Sequence, residues 1–225
     1  LGWQSSAGPG RAARLAFSRH SLPSPMRWLS NVRLPGAEGH WRVGLDDAGR
    51  ITRMQCLPAG SAAAGEDWGG NWLSPAAVDL QINGGLGLAF PELQDRDLPT
   101  LLALLERLWQ DGVEAIAPTI VTCACADLRR ALTVLAAARR EHRPGRCRLL
   151  GAHLEGPFLE PSRRGAHPQQ HLAAPSLEAL QERIAGFEDA ITLVTLAPEL
   201  PGATAVIEAL VARGIVVSLG HSAAS

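Results

Sequence analysis

The sequence contains no lysine and no tyrosine, and all 21 basic residues are arginine. A Schiff-base lysine, a P-loop lysine, a modified lysine that bridges two metal ions and a tyrosine nucleophile are therefore excluded from this chain. The net charge of −1 gives no general reason to expect nucleic acid or an anionic membrane as a partner. No apolar run approaches the roughly 18 residues that a membrane-spanning helix needs. We expect a cytoplasmic protein with neither kind of partner.

The chain also lacks the C-x-x-C spacing of zinc and redox sites, although it contains four cysteines. They are Cys56, Cys123, Cys125 and Cys147. We interpret them as small apolar side chains of a protein that is kept reduced.

Residues 1–25 differ in composition from the rest of the chain. They begin with leucine, are rich in serine, proline, glycine and arginine, and contain no acidic residue. A transit peptide would have this composition. We favour a disordered tail or upstream extension that precedes a start at Met26.

Residues 26–73 predict a small β-sheet domain, which is incomplete in this sequence. Three short alternating segments, 28–34, 41–45 and 51–57, are separated by residues typical of turns. The segment 46–50 (DDAGR) is typical of a hairpin turn.

Residues 74–225 alternate between apolar strands and amphipathic helices, which predicts five βα-type units. The predicted strands are 76–82, 113–117, 148–153, 191–197 and 215–219. Either a (β/α)₈ barrel or a doubly wound sheet could contain them. The sequence ends after the fifth strand, and a barrel that lacks three strands cannot close. We therefore expect an α/β chain whose TIM-type barrel is truncated after about five strands.

Polar residues follow the apolar strands at the same end of each unit, which favours the barrel because its strand ends converge on one point. They are Gln81, Asn83, Thr119, His153, Glu155, Glu199 and His221. We expect His153 to orient its neighbours. Glu199 is either a supporting group beside the site or an ordinary charge at a strand end.

Glu155 and His221 predict a metal site. A carboxylate at the tip of a buried strand is costly unless it binds something. Carboxylate oxygen with imidazole nitrogen suits Zn²⁺, Fe²⁺, Co²⁺ or Mn²⁺. A catalytic site normally has three protein ligands, and we expect the third to come from a strand beyond residue 225.

Six motifs together resemble the N-acetylglucosamine-6-phosphate deacetylase family of the amidohydrolase superfamily. They are 78–85 (VDLQINGG), 117–119 (APT), 153–158 (HLEGPF), 164–167 (RGAH), 196–199 (LAPE) and 219–222 (LGHS). The resemblance covers about residues 26–225, and the motifs occur in the order of the family.

The resemblance implies one divalent metal ion, held by Glu155 and His221. It implies that Ala166 and His167 contact the substrate. Gln81 and Asn83 stand where related enzymes have His-x-His and a second metal, so the single-metal form is implied, with both amides near the water at the metal. A third ligand and a general-base aspartate are expected beyond residue 225, and the chain by itself is expected to be inactive.

The function implied is hydrolysis of the acetamide of N-acetylglucosamine 6-phosphate, an amino-sugar phosphate, to glucosamine 6-phosphate and acetate in amino-sugar catabolism. The full-length protein is expected to be a homodimer. Another amidohydrolase, such as a cyclic amide or nucleobase hydrolase, is the first alternative, but most of those need His-x-His at the first strand. A non-catalytic truncated remnant is the second.

Overall fold

A computed structural model describes residues 26–58, 60–61 and 64–224 of the chain. The tail predicted over residues 1–25 lies outside the described residues. The chain divides into two compact units, one up to Pro75 and one from Ala76 onward. The domain limits predicted at 26–73 and 74–225 stay a prediction.

The first unit is a four-stranded sheet. Its strands are β1 (Arg27–Val32), β2 (His40–Leu45), β3 (Ile51–Leu57) and β4 (Glu66–Asp67). The order is β3-β2-β1-β4, with β1 to β3 antiparallel and β4 parallel to β1. Leu29, Val32 and Val43 form its small buried core.

The hairpin turn predicted at 46–50 is confirmed. The carboxylate of Asp46 accepts hydrogen bonds from the backbone N–H groups of Ala48 and Arg50, at 3.0 and 2.9 Å. An aspartate that bonds its own following backbone stabilises such turns.

The second unit alternates strands with helices. Its strands are β5 (Ala77–Ile82), β6 (Gly84–Gly85), β7 (Leu88–Ala89), β8 (Val113–Val121), β9 (Arg148–Leu149), β10 (Ala152–Glu155), β11 (Ile191–Leu196) and β12 (Val216–Leu219). Its helices are α1 (Leu98–Gln110), α2 (Cys125–Arg140), α3 (Leu177–Ile184) and α4 (Ala203–Ala212).

The main sheet of this unit has the order β12-β11-β10-β8-β5, and all of its strand pairs are parallel. The order follows the chain without reversal, whereas a doubly wound sheet changes direction at a switch point. Short strands β6 and β7 pair separately. The α/β class and the barrel-type arrangement predicted from the sequence are therefore confirmed for five strand positions.

The helices pack in chain order, α1 on α2, α2 on α3 and α3 on α4. Their apolar faces supply much of the buried core, including Leu101 and Leu105 of α1 and Leu132 of α2. The predicted helical period is thus confirmed, because leucines spaced by three or four residues share one face. Within the described residues, no helix combines the length and the apolar character that crossing a membrane requires.

Two predicted strand limits were wrong. The second strand does not end at residue 117 but runs on to Val121, so Thr119 lies inside it and is buried. The third strand is interrupted between β9 and β10, where Gly151 has a φ of +140°. Pro118, which has no N–H to donate, lies opposite this interruption, since Ile116 pairs with Leu149 and Thr119 pairs with His153.

Candidate functional site

Three polar side chains meet at the carboxyl ends of the parallel strands. Glu155 is the last residue of β10, His221 follows β12 by two residues, and His167 lies in the loop after β10. The distance from Glu155 Oε1 is 3.0 Å to His221 Nε2 and 3.8 Å to His167 Nε2. One donor atom from each residue lies within 4.8 Å of the other two. The sheet thus brings together residues that are up to 66 positions apart.

His221 is oriented by the backbone of the same loop that carries His167. Its Nδ1 lies 2.9 Å from the carbonyl oxygen of Arg163, and since a carbonyl only accepts, Nδ1 donates. In the neutral ring, Nε2 therefore carries a lone pair that faces the Glu155 carboxylate. Two acceptors at 3.0 Å attract each other only when a cation, a proton or a metal ion, lies between them.

Both carboxylate oxygens of Glu155 contact neighbouring side chains. Gln81 Nε2 donates to Oε2 at 3.1 Å, while Oε1 faces the two histidines. Burial raises the pKa of Glu155, but its contacts with His221 and Gln81 outweigh burial, so the pKa lies below its usual value. The carboxylate is therefore ionised near neutral pH, and an ionised carboxylate can bind a cation.

His167 is buried and is fixed from behind by Thr122. Its Nδ1 lies 2.9 Å from Thr122 Oγ1 and 3.3 Å from the backbone nitrogen of Thr122. These contacts leave Nε2 directed at the cluster. Burial lowers the pKa of His167, and the nearby Glu155 carboxylate only partly opposes this effect. The ring therefore meets a ligand mainly as a neutral imidazole.

His153 lies on the same strand as Glu155 but is not a member of the cluster. Its Nδ1 contacts Thr119 Oγ1 at 3.1 Å, and its Nε2 contacts Thr195 Oγ1 at 2.8 Å. With both ring nitrogens engaged, the buried side chain links β8, β10 and β11. This arrangement agrees with the expectation that His153 orients its neighbours.

Curated proteins and solved structures that are similar to this chain point to the same enzymes. No protein-family profile matches the chain. Over 161 residues the chain is 40% identical to human N-acetylglucosamine-6-phosphate deacetylase, an alignment that covers 70% of the chain. It is 34% identical over 154 residues to N-acetylgalactosamine-6-phosphate deacetylase of Escherichia coli O157:H7, which covers 68% of the chain and 40% of that protein.

The structure of a mutant Mycobacterium smegmatis N-acetyl-D-glucosamine-6-phosphate deacetylase, in complex with that sugar phosphate, superimposes with a TM-score of 0.69 at 26% identity. The superposition covers 89% of this chain and 51% of that one.

The chain is a homologue of the N-acetylglucosamine-6-phosphate deacetylases.

The chain spans 39% of the length of the human deacetylase. It therefore corresponds to only a part of these deacetylases.

The cluster fits a divalent metal ion by its donor chemistry. One carboxylate oxygen and imidazole nitrogens suit Zn²⁺ and its transition-metal neighbours. His221 Nε2 lies 3.0 Å from Glu155 Oε1, so both atoms face the same point.

The remaining predicted residues lie beside the cluster rather than in it. Ala166 and Asn83 both line a cleft of about 680 Å³ that also contains Thr122. Asn83 contributes its backbone carbonyl to a hydrogen bond with the N–H of Phe90. Of the two amides predicted near the metal, the structure therefore places only Gln81 against Glu155.

Sequence reasoning missed Thr122, which contacts both His167 and the backbone of Glu155. Its hydroxyl donates to the carbonyl oxygen of Glu155 at 3.0 Å. A polar residue directly after an apolar strand is the signal that could have identified it. The signal was hidden because the predicted second strand ended at residue 117 instead of Val121.

Proposed function

We propose that this chain carries the metal-binding and part of the substrate-binding machinery of a metal-dependent deacetylase. Its substrate would be N-acetylglucosamine 6-phosphate, and the products would be glucosamine 6-phosphate and acetate. The observation that carries the proposal is the contact between Glu155 and His221, in a chain that is 40% identical to the human deacetylase.

Each residue of the cluster has a proposed role. Glu155 and His221 hold one divalent metal ion (Zn, Fe, Co or Mn), which would supply Lewis-acid polarisation of the acetyl carbonyl and activation of water. Gln81 orients the Glu155 carboxylate by donating to Oε2. His167 presents Nε2 to the substrate, and Ala166 lines the adjoining cleft.

The general base of the proposed reaction is not one of the residues of the cluster. Glu155 is the only carboxylate of the cluster among the residues that the structure describes, and it is used as a ligand. The resemblance assigns the base to an aspartate beyond residue 225. We therefore expect the 225-residue chain to bind metal without releasing acetate. For the full-length protein we propose a cytoplasmic homodimer.

Titration of the metal-free chain with Zn²⁺ and Co²⁺ tests the metal site by calorimetry. We expect Glu155→Gln and His221→Ala to weaken binding at least about 100-fold, because loss of even an outer-shell partner costs about 10–100-fold. Glu188→Gln is the matched control, since Glu188 accepts a backbone hydrogen bond from Gly186 outside the cluster. Unchanged binding in both ligand variants would refute the site.

His167 is tested in the same experiment, followed by titration of the metal-loaded chain with the sugar phosphate. We expect His167→Ala to keep metal affinity within about tenfold and to lose sugar binding. Loss of metal binding instead would make His167 the third ligand, which its place in the cluster allows.

A second candidate substrate is N-acetylgalactosamine 6-phosphate, since the Escherichia coli relative is named for it. Both sugar phosphates are titrated against the metal-loaded chain. Tighter binding of the glucosamine derivative supports the first proposal, and tighter binding of the galactosamine derivative replaces it with the second.

A further inference from the structure

The carboxylate of Glu199 binds the segment that follows His221. Glu199 lies three residues after β11, and its Oε2 accepts from Ser222 Oγ at 2.7 Å. Its Oε1 accepts from the backbone N–H of Ala223 at 2.6 Å. Ser222 Oγ in turn accepts from the N–H of Ala224 at 2.9 Å. One charged side chain thus organises three consecutive residues directly after His221.

This segment needs such support because His221 has a left-handed backbone conformation, with φ of +52°. A residue with a side chain is strained there and stays there only when its surroundings hold it. Two backbone contacts contribute, from Gly220 N–H to the Leu196 carbonyl and from Glu160 N–H to the His221 carbonyl. Among the described contacts of residues 222–224, however, Glu199 is the only charged partner.

We propose that Glu199 is a positioning residue that aims the His221 imidazole at Glu155. Both of its oxygens are occupied by Ser222 and Ala223, so Glu199 acts through the backbone and is not itself a ligand. Charge-assisted hydrogen bonds of this length are stronger than neutral ones, which suits a group that holds a strained turn. The effect on metal binding rests on the function proposed above, whereas the effect on the His221 ring does not.

The variant that tests this role is Glu199→Gln. The amide keeps the size of the carboxylate but removes its charge. Its oxygen can accept from the Ala223 N–H and its NH₂ can donate to the Ser222 hydroxyl, so both contacts become neutral hydrogen bonds, which are weaker than charge-assisted ones. Ser222→Ala removes the hydroxyl alone and provides a milder second variant. Glu188→Gln is the matched control, because Glu188 accepts one backbone N–H at 2.9 Å in a turn that precedes β11.

Two measurements are made on the full chain of each variant. The first is the dissociation constant for Zn²⁺, which we expect to rise up to about tenfold in Glu199→Gln, the lower end of the range for outer-shell partners, less in Ser222→Ala and not at all in Glu188→Gln. The second is the ¹⁵N spectrum of histidine side chains in the metal-free protein, in which we expect the His221 signals to move in Glu199→Gln. His221→Ala identifies those signals, and a thermal unfolding curve shows whether each variant is folded.

The outcomes separate this inference from the proposed function. Wild-type affinity and unmoved His221 signals in Glu199→Gln overturn the role of Glu199 and leave the function intact. Failure of the wild-type chain to bind metal refutes the proposed site, and the histidine spectrum still decides the role of Glu199. If Glu199→Gln does not fold, Ser222→Ala decides, since wild-type affinity and spectrum in that variant overturn the inference.

Discussion

Gly156, directly after Glu155, shows how one residue without a side chain supports the cluster. Its φ is +89°, and a Cβ atom added there would lie 2.2 Å from Thr122 Oγ1. Thr122 is the residue that fixes His167. Glycine is therefore required at this position both for its backbone conformation and for the close approach of the two chain segments.

We expect Gly156→Ala to lower the free energy of unfolding by about 1–3 kcal/mol more than Gly186→Ala does. Gly186 has a similar φ of +81° but nothing within 4 Å of an added Cβ, so its substitution measures backbone strain alone. Urea denaturation of the two variants gives the difference. Equal losses would show that Thr122 moves aside at little cost.

The cysteines are free in the structure, as expected. Burial raises the pKa of Cys123 and Cys147 to about 11, so both thiols stay protonated near neutral pH. Cys56 is exposed on β3 and therefore does not match the expectation of a small apolar side chain.

At the scale of secondary-structure elements, the start of α3 is a feature that the local sequence predicts. A serine directly before an apolar helical period predicts an N-cap, and Ser176 Oγ accepts from the N–H of Ala179 at 3.1 Å. The helix has only eight residues, so its first turn makes up a large share of it. The cap can be predicted from the sequence because an N-cap depends on residues only three positions apart.

We expect Ser176→Ala to lower the free energy of unfolding by about 1 kcal/mol, because it removes the acceptor for an N–H at the start of α3. Ser176→Thr keeps an oxygen at the same position and is expected to restore most of this loss. Thermal unfolding of both variants provides the measurement. Equal effects of alanine and threonine would mean that the cap contributes nothing.

Strand β8 shows where element prediction failed. The sequence predicts an end at residue 117, but the strand runs on through Pro118, which cannot donate to a sheet ladder. The strand continues because its neighbour on one side is itself interrupted before β10, at Gly151. That compensation involves two segments about 30 residues apart and is invisible in either segment alone.

At the scale of the whole molecule, the outermost strands of the main sheet carry exposed apolar side chains. Val78 and Leu80 on β5 are both 52% exposed, and Val216 and Leu219 on β12 are 61% and 64% exposed. In the part of the chain that the structure describes, no strand pairs with the outer edge of β5 or of β12. Apolar strand edges of this kind promote association with other chains.

We expect a protein of these 225 residues to self-associate as its concentration rises, and Val216→Lys to weaken the association about tenfold, since a charge on an edge strand opposes pairing. Val211→Lys is the matched control, because Val211 is 60% exposed but lies on α4. Sedimentation velocity over a concentration series compares the variants. Equal weakening by both would attribute the effect to net charge rather than to the strand edge.

The sequence by itself determined the features that depend on neighbours along the chain. The helical periods, the cap at Ser176, the turn after Asp46 and the polar residues at strand ends all follow from side-chain spacing, which is local. Glu155 and His221 were predicted as metal ligands in this way, whereas His167 was named only because its motif resembles that of the deacetylase family.

Only the tertiary structure decided which of these residues meet, and at what distance. Parallel strands pair through backbone groups that are alike at every position, so strand order and register come from the packing of the whole sheet. This packing places Gln81 against Glu155 but Asn83 in a neighbouring cleft. It also brings Thr122 behind His167 and Glu199 beside the segment after His221, because these contacts join loops that are distant in sequence.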